Sequence, residues 1–559
     1  MTFQDQFSEE AIIRELCRAR IKHAAKRHDA QFLHNIDQRS TRPDLLPPDD
    51  WGTIPAEIFP PRREWHRYRP KWRGTMAPFA INVETLLRAT LALRKSEPAE
   101  IWARNLERTV GEIQARVLSQ KKFQFTKPRI VPIRKDQTSN NYRPLTTFLL
   151  PDKIIECLTA RYLRTALDRT LLPSCLAFRA RHGNKRPPTT HDAIKIIDKI
   201  RRESATLYVA ECDIQGFFDC VSHRIARDAL TQLISDAKME SEIHERALEI
   251  FDAYLACYSF RSSVKNGKEM RALRKTHPEA TCKWPERDLA NYHKSDRLLN
   301  IGVPQGGALS CFIANAVLHE ADKALARLDA RSGITFTYLR YCDDMILLAQ
   351  TKTTCQTAFD IYARAVRKLL LPIHAPKDVT AYGDSLFAGK SNNPYPWRAP
   401  KAPAHVPWIQ FVGYQLRYDG LLRVRRKSID KHIQRITDIT NSLLSVLDKG
   451  ARRGGLRRTA KQIHYRFHQK LISMSVGRVR RNKKNRGPMP MCWAAGFRGL
   501  TGQRFVTTNI QYLDRHRERQ LRRVARRLEQ LNLPKATAKS EVDALPYYGY
   551  PFSYIAQFK

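Results

Sequence analysis

Hydrophobic and polar positions change period along the chain, and the changes mark out its elements. Through residues 1–125 apolar positions recur at helical spacing between proline-rich connections; Leu86, Leu87, Leu91 and Leu93 mark one apolar helix, and Phe59–Arg63 reads as loop. From about 126 to 420 short strand-forming runs alternate with helical stretches, the pattern of a mixed α/β core. Thr206–Asp213 (TLYVAECD) is rich in strand formers and ends in an acid. Ile334–Ala349 (ITFTYLRYCDDMILLA) predicts two strands around a tight acidic turn. Between them Leu309, Phe312, Ile313, Ala316, Val317, Ala321, Ala324 and Leu325 fall at helical spacing and predict a helix packed on the sheet. Residues 260–300 are polar and basic with scattered turn formers and read as an insertion. From 421 to 530 the pattern is mostly helical, with a break near Asn485–Pro488, and no internal repeat is visible.

Composition adds the kind of partner. A chain of 559 residues, 42% hydrophobic, exceeds one ordinary core and predicts several subdomains. Its 98 Lys and Arg against 55 Asp and Glu give a formal charge of +43, a field that favours a polyanion, nucleic acid before acidic lipid or charge kept for solubility alone. Residues 421–530 hold 29 Lys and Arg against six Asp and Glu, so we expect this region to clamp a nucleic-acid backbone, with Arg452, Arg453, Arg478, Arg480, Lys483 and Lys484 as candidate contacts. The run Trp65–Arg73 interleaves aromatics and arginines; it either stacks bases and holds phosphates or is a structured loop with exposed arginines. The eleven cysteines include no C-x-x-C spacing, which argues against a zinc knuckle and for free thiols in a reducing compartment. With no signal peptide and no long uncharged apolar run, the expectation is a cytoplasmic protein with no membrane partner.

Three aspartates carry the candidate chemistry. Asp213 ends a hydrophobic strand, and Asp343 and Asp344 stand side by side at the hairpin turn. Nucleotidyl transfer needs one hard cation to lower the pKa of an attacking 3′ hydroxyl and a second to hold the triphosphate and the leaving pyrophosphate. Magnesium takes few protein ligands and prefers oxygen, which carboxylates at strand ends supply. Taken alone, an acidic pair at a turn is ordinary, because Asp is a common turn residue.

The surrounding motifs decide between these readings. Asp213-Ile214-Gln215-Gly216-Phe217-Phe218-Asp219, Gly302–Ser310 (GVPQGGALS), Tyr341-Cys342-Asp343-Asp344 and Phe411-Val412-Gly413-Tyr414 resemble, in order, four motifs of the reverse-transcriptase family, over roughly residues 125–425. The resemblance implies an α+β right-hand polymerase: fingers and palm over 126–425, a basic helical thumb and C-terminal region over 426–559, and a helical N-terminal extension over 1–125. It implies two Mg²⁺ ions, with Mn²⁺ as a substitute, held by Asp213, Asp343 and Asp344 with the backbone carbonyl of Ile214. Arg143, in Asn141–Leu145 (NYRPL), and Arg134 or Lys135 would grip the incoming dNTP. Phe218 would be the ring that clashes with a ribose 2′ hydroxyl, and Phe217 a core residue. Gln305 and Gly306 would also line the dNTP site, and Val412, Gly413 and Tyr414 would form the primer grip. Lys377 falls near a lysine that could protonate pyrophosphate, or is a solvated surface residue.

Among reverse transcriptases the fingers and palm resemble the bacterial lineage of group II intron and retron enzymes. Phe178-Arg179 and Thr190–Ile194 (THDAI) match another segment of that branch, interrupted here by Arg181–Pro188. The chain shows no resemblance to an RNase H domain and no Cys-pair endonuclease, so a stand-alone, defence-associated or abortive-infection enzyme is the expected type. Its partners would be a structured non-coding RNA or RNA template, a DNA product, dNTPs and a second copy or partner protein. The aromatic tail Tyr547–Tyr554 either docks on the protein or offers a priming tyrosine. The alternative is a maturase-like RNA-binding splicing factor, against which the three converging acids argue, since they repel RNA phosphates.

Overall fold

The computed structural model describes residues 2–26, 28–37, 56–70, 78–135, 139–183, 185–293, 295–332, 335–379, 390–398, 407–454, 456–475, 500, 503–506 and 508–534. They divide into two compact units. The first takes the described residues of 1–18, 50–68 and 86–412; the second takes those of 19–49, 69–85 and 413–559. The N-terminal 125 residues are therefore no separate extension. Their segments are shared out: both ends pack in the first unit, while stretches between them, with Phe32 and Ile36, supply apolar side chains to the core of the second. In the first unit Phe3 stacks on His244 at 4.8 Å and meets the Tyr162 ring edge-on at 5.3 Å.

The first unit is built on a four-stranded sheet in the order β4-β5-β3-β6. Its strands are β3 (Leu207–Cys212), β4 (Phe336–Tyr341), β5 (Asp344–Ala349) and β6 (Asn392–Trp397), paired antiparallel throughout. A separate hairpin joins β1 (Arg129–Arg134) to β2 (Tyr142–Thr147). β5 is buried from Met345 to Ala349 and β3 at Leu207, Val209, Ala210 and Cys212, so both strands are covered on two faces; β5 reads as a continuous apolar run and β3 as one broken by Glu211. The helix Lys352–Lys368 lies against β3, β5 and β6.

The helix Ala308–Ser332 departs from a one-sided stripe. It packs chiefly on the helices Leu150–Leu167, His223–Ala237 and Lys352–Lys368, and it buries the polar Ser310, Asn315, His319 and Asp322 as well as its apolar positions. A hydrophobic pattern cannot register this, because the partners of Asn315 and Asp322 lie on other elements. Asp322 takes both arms of Arg340 on β4, at 2.8 and 2.6 Å, and the Tyr338 hydroxyl at 2.8 Å; Asp322 and Arg340 are both almost wholly enclosed. The fork geometry makes this a strong charge-assisted pair.

The segment 260–300 is likewise no loose insertion. Phe260, Val264 and Met270 join Ile130 of β1 and Tyr258 in one buried cluster, with Trp284 stacked on Phe260 at 4.9 Å. Tyr142 N donates to Thr281 O at 2.7 Å, which ties the segment to the β1–β2 hairpin. Its many charges face solvent and mask a few apolar anchors.

β7 (Trp408–Phe411) closes the first unit. The second contains β8 (Tyr414–Arg417), β9 (Leu421–Val424), β10 (Arg504–Phe505) and the long helices Arg426–Arg452, Ala460–Ser475 and Thr508–Glu529. β8 and β9 pair antiparallel, and β10 joins β9 in parallel. The helices bury Ile436, Leu443, Phe467, Leu513 and Val524 around Phe32 and Ile36. No helix among the described residues is long and apolar enough to cross a membrane.

Removing Asp322 would leave the Arg340 guanidinium charged, buried and unpaired. Asp322→Ala should cost about 3–5 kcal/mol of stability, read as a lowered urea midpoint, whereas Tyr338→Phe, which removes one neutral donor, should cost about 1 kcal/mol.

Candidate active site

The sheet register gathers the acids. Cys212 on β3 pairs with Met345 on β5, so the next step sets Asp213 against Asp344 at the sheet's end. Tyr341 pairs with Asp344, which leaves Cys342 and Asp343 as a two-residue hairpin loop. Cys342 holds φ +63°, a left-handed conformation that the loop requires and a non-glycine residue adopts at a cost. Arg340 braces that turn by donating Nη1 to Cys342 O at 2.9 Å. Asp213 is fixed by its own N–H to Ser391 Oγ at 3.0 Å and by His374 N to its carbonyl at 3.0 Å. Ile214 is buried and bridges Ile373.

Burial, with the negative charge of Asp213 added, pushes the Asp343 carboxyl above its ordinary range; Arg143 acts the other way. Asp213 Oδ2 accepts from Lys390 Nζ at 2.8 Å and lies 3.7 Å from His374 Nε2. Among the described residues no three His, Cys, Asp or Glu side chains form a closed metal cage. Neighbouring carboxylates, one of which already draws a lysine ammonium, do suit a hard cation that keeps most of its coordination sphere for water and phosphate.

Beyond Asp213, Gly216 at φ +54° turns the chain into the short helix Phe217–Cys220. Phe217 enters the core, while Phe218 stays half-exposed, its ring 5.2 Å from that of Phe217 at 75°. Asp219 is buried and accepts from Gln305 Nε2 at 2.6 Å, and its carbonyl accepts from Trp284 Nε1 at 2.8 Å. Burial raises the Asp219 carboxyl to about 7, against the pull of Lys135 and Arg143. The Gln305 carbonyl in turn accepts from Thr146 N at 2.9 Å and Thr146 Oγ1 at 2.8 Å. Gln305 thus fastens β2 to Asp219. Gly306 has φ +99°, and at Gly307 a Cβ would lie 2.0 Å from the Tyr254 hydroxyl, so glycine is required there.

Arg143 is exposed on β2, within electrostatic reach of Asp219, Asp343 and Lys135. Arg134 instead stacks over the Tyr142 ring at 5.6 Å, on the opposite face of the hairpin from Arg143, since Tyr142 and Arg143 are adjacent on a strand. Val412 and Gly413 hold φ +43° and +89° in the turn between β7 and β8, and Gly413 O accepts from Arg425 N at 3.1 Å. Arg452 and Arg453 are exposed at the end of the helix Arg426–Arg452. Arg478, Arg480, Lys483 and Lys484 lie outside the described residues, as do Asn485–Pro488, Trp72 and the tyrosine tail. Lys377 pairs its backbone with Ser391 and Asn393. Sequence reasoning missed Lys390, His374 and the Asp219–Gln305 link. It also missed Glu211, half-buried two residues before Asp213 on the same strand face and raised to about 7 by desolvation, with Asn392 and Tyr395 holding its carboxylate. Period-two spacing from Asp213 was the available signal for Glu211; the others meet only in three dimensions.

Residues 133–416, just over half the chain, match the family described as reverse transcriptase (RNA-dependent DNA polymerase). The chain belongs to the reverse-transcriptase family. Its activity is accordingly that of an RNA-directed DNA polymerase, a nucleotidyltransferase of α+β right-hand fold from a family that uses divalent metal ions. Solved structures similar to this reverse transcriptase include telomerase from Candida albicans in complex with a TWJ fragment of telomeric RNA, at 12% identity over 82% of this chain and 74% of that one, TM-score 0.32. Apo telomerase from Candida tropicalis is another, at 13% identity over 80% and 74%, TM-score 0.34. No curated protein matches the chain.

Asp219 gives a pH signature. Its folded pKa of about 7 lies above the ordinary 3.8, so the folded state binds the extra proton. Its contribution is full below pH 4 and is lost as pH rises through 7. Asp219→Asn keeps the oxygen that accepts from Gln305 but cannot ionise. Relative to wild type it should gain stability between pH 4 and 7, by no more than about 4 kcal/mol, in thermal melts at a series of pH values.

Proposed function

We propose that the protein copies RNA into DNA at the carboxylate edge of the sheet, adding deoxynucleotides to a 3′ hydroxyl with two Mg²⁺ ions, or Mn²⁺ in their place. The observation that carries this reading is the meeting of Asp213 with Asp343 and Asp344 at one sheet end, with Arg143 in electrostatic reach of Asp343. The ions would supply a lowered pKa for the 3′ hydroxyl and neutralise charge on the pyrophosphate. Asp213 and Asp343 would hold them, with Asp344 and the Ile214 carbonyl beside them. Arg143, exposed and permanently charged, suits a triphosphate that it can grip by a fork of hydrogen bonds; Lys135 is its closest helper, with Arg134 further round the hairpin. Gln305 and Gly306 would support the incoming nucleotide from beneath, and the half-exposed Phe218 would exclude a 2′ hydroxyl. Val412, Gly413 and Tyr414 would grip the primer. The arginine-rich helices after residue 426, with Arg452, Arg453 and the basic residues 478–484, would serve as the thumb on the duplex backbone.

We place the enzyme with the bacterial stand-alone reverse transcriptases, working in the cytoplasm with a structured non-coding RNA in antiphage defence. The support for this is the resemblance of Lys127–Leu145 and Phe178–Ile194 to that lineage. Three converging acids favour catalysis over a maturase-like binding role.

The test is extension of a DNA primer on an RNA template by the purified chain. Asp343→Asn should lower dNTP incorporation at least about a hundredfold, the scale of losing a metal-held charge. Chelation of divalent ions should stop incorporation, and added Mg²⁺ or Mn²⁺ should restore it. Phe218→Ala should leave dNTP use within a few-fold and raise ribonucleotide incorporation about tenfold or more, as expected when a single steric contact is lost. Full activity in Asp343→Asn would refute the assignment.

A further inference from the structure

Phe178 satisfies neither its backbone nor its side chain. It holds φ +56°, a conformation in which glycine is the ordinary residue and a bulky side chain is an outlier. The residue is 37% exposed, while Cys175, Leu176, Ala177 and Ala180 around it are buried. A phenylalanine outside the core gains nothing from strain unless something else uses the ring.

The neighbouring bonds hold it in that state. Arg179 makes five hydrogen bonds inward: to Asp168 Oδ1 at 3.0 Å and to the carbonyls of Leu172, Cys175, Asp168 and Leu171 at 3.0, 2.9, 2.9 and 3.2 Å. Ala180 N donates to the same Asp168 carboxylate at 2.7 Å. On the other side, Ala177 O accepts from Asn315 Nδ2 at 2.8 Å. So many fixed partners over-determine the local backbone, the condition under which an unfavourable dihedral persists at functional sites.

The segment is tied to the strand that leads into the Cys342–Asp343 turn. Cys175 bridges Arg340 in parallel, with Leu176 N to Arg340 O and Arg340 N to Ser174 O both at 2.9 Å. At the bridge the chain runs in the same direction as Arg340 to Asp343, before it turns at Ala177 and Phe178. The bridge is to β4, the edge strand opposite β6. Lys390, beside β6, stands on the other flank. An exposed ring on the β4 flank, away from that cation, is placed for a nucleobase rather than a phosphate.

We propose that Phe178 is a stacking platform for one base of the bound nucleic acid beside the catalytic turn. Its strained, braced backbone holds the ring ready for that base, so stacking does not have to order it. Stacking recognises the π-face that every base has, so the site contributes affinity and register and no sequence preference. The proposal rests on the primer-template reading above and adds a contact to it.

The test uses the purified full chain and a primer–template carrying 2-aminopurine, placed at successive template positions and then at successive primer positions. Phe178→Gly relieves the left-handed strain, so its melting temperature should equal or exceed wild type. Its Kd for the primer–template should rise about tenfold, with the salt dependence of log K unchanged because no phosphate contact is lost. Phe178→Leu keeps apolar bulk without a stacking face and should show the same loss; Phe178→Trp should bind at least as tightly as wild type. One labelled position should be quenched in wild type and released in Phe178→Leu, and whether it lies in template or primer names the strand. Binding within twofold of wild type in both Phe178→Gly and Phe178→Leu, with no position released, would overturn the platform. Failure of wild type itself to bind would instead count against the primer–template reading.

Discussion

Like charges held close together are the constraint on which this structure turns. Asp213, Asp343 and Asp344 reach one end of a sheet because two antiparallel registers leave no other place for them. Carboxylates so placed repel, and burial of Asp343 adds to the cost. The fold supplies the opposing structure from behind. Arg340, locked to Asp322 inside the protein, holds the Cys342 carbonyl and with it the hairpin turn. Ser391 and His374 fix the Asp213 backbone. A site of this kind suits cations, because relief of repulsion adds to their attraction, and Asp213 already pairs with Lys390.

A chain of hydrogen bonds also links the hairpin that carries Arg143 to Asp219. Asp219 holds the Gln305 side chain, the Gln305 carbonyl holds Thr146 on β2, and β2 carries Arg143. A change in the hairpin is therefore felt at Asp219 by three short steps. Trp284 adds a fourth anchor through the Asp219 carbonyl, which gives the segment 260–300 a place in the architecture of the site.

Much of this was legible from residues alone, and the failures have physical causes. The strands ending in Asp213 and flanking Asp343 could be read because their apolar runs are long and stop at acids. Phe217 and Phe218 separated as inner and outer ring. Residues 260–300 misled because charge outnumbers Phe260, Val264, Met270 and Trp284, and a few anchors suffice to bury a segment. The helix Ala308–Ser332 hid its buried Asp322 because the partner lies on another element. Residues 1–125 read as one extension because sequence shows that helices exist, not which core receives them. Phe178 stood out only as part of a motif; its left-handed backbone and exposure needed three dimensions.

In the proposed mechanism Asp213 and Asp343 form a shared centre for two divalent ions. The most direct measurement counts them: Mn²⁺ bound to the protein in the presence of primer–template and a non-reactive dNTP analogue, followed by the electron paramagnetic resonance of the free ion. Wild type should take up two ions per chain at the site, and Asp213→Asn and Asp343→Asn should each lose at least one while still binding primer–template. Equal ion uptake by wild type and both variants would place the metal, and the chemistry, elsewhere.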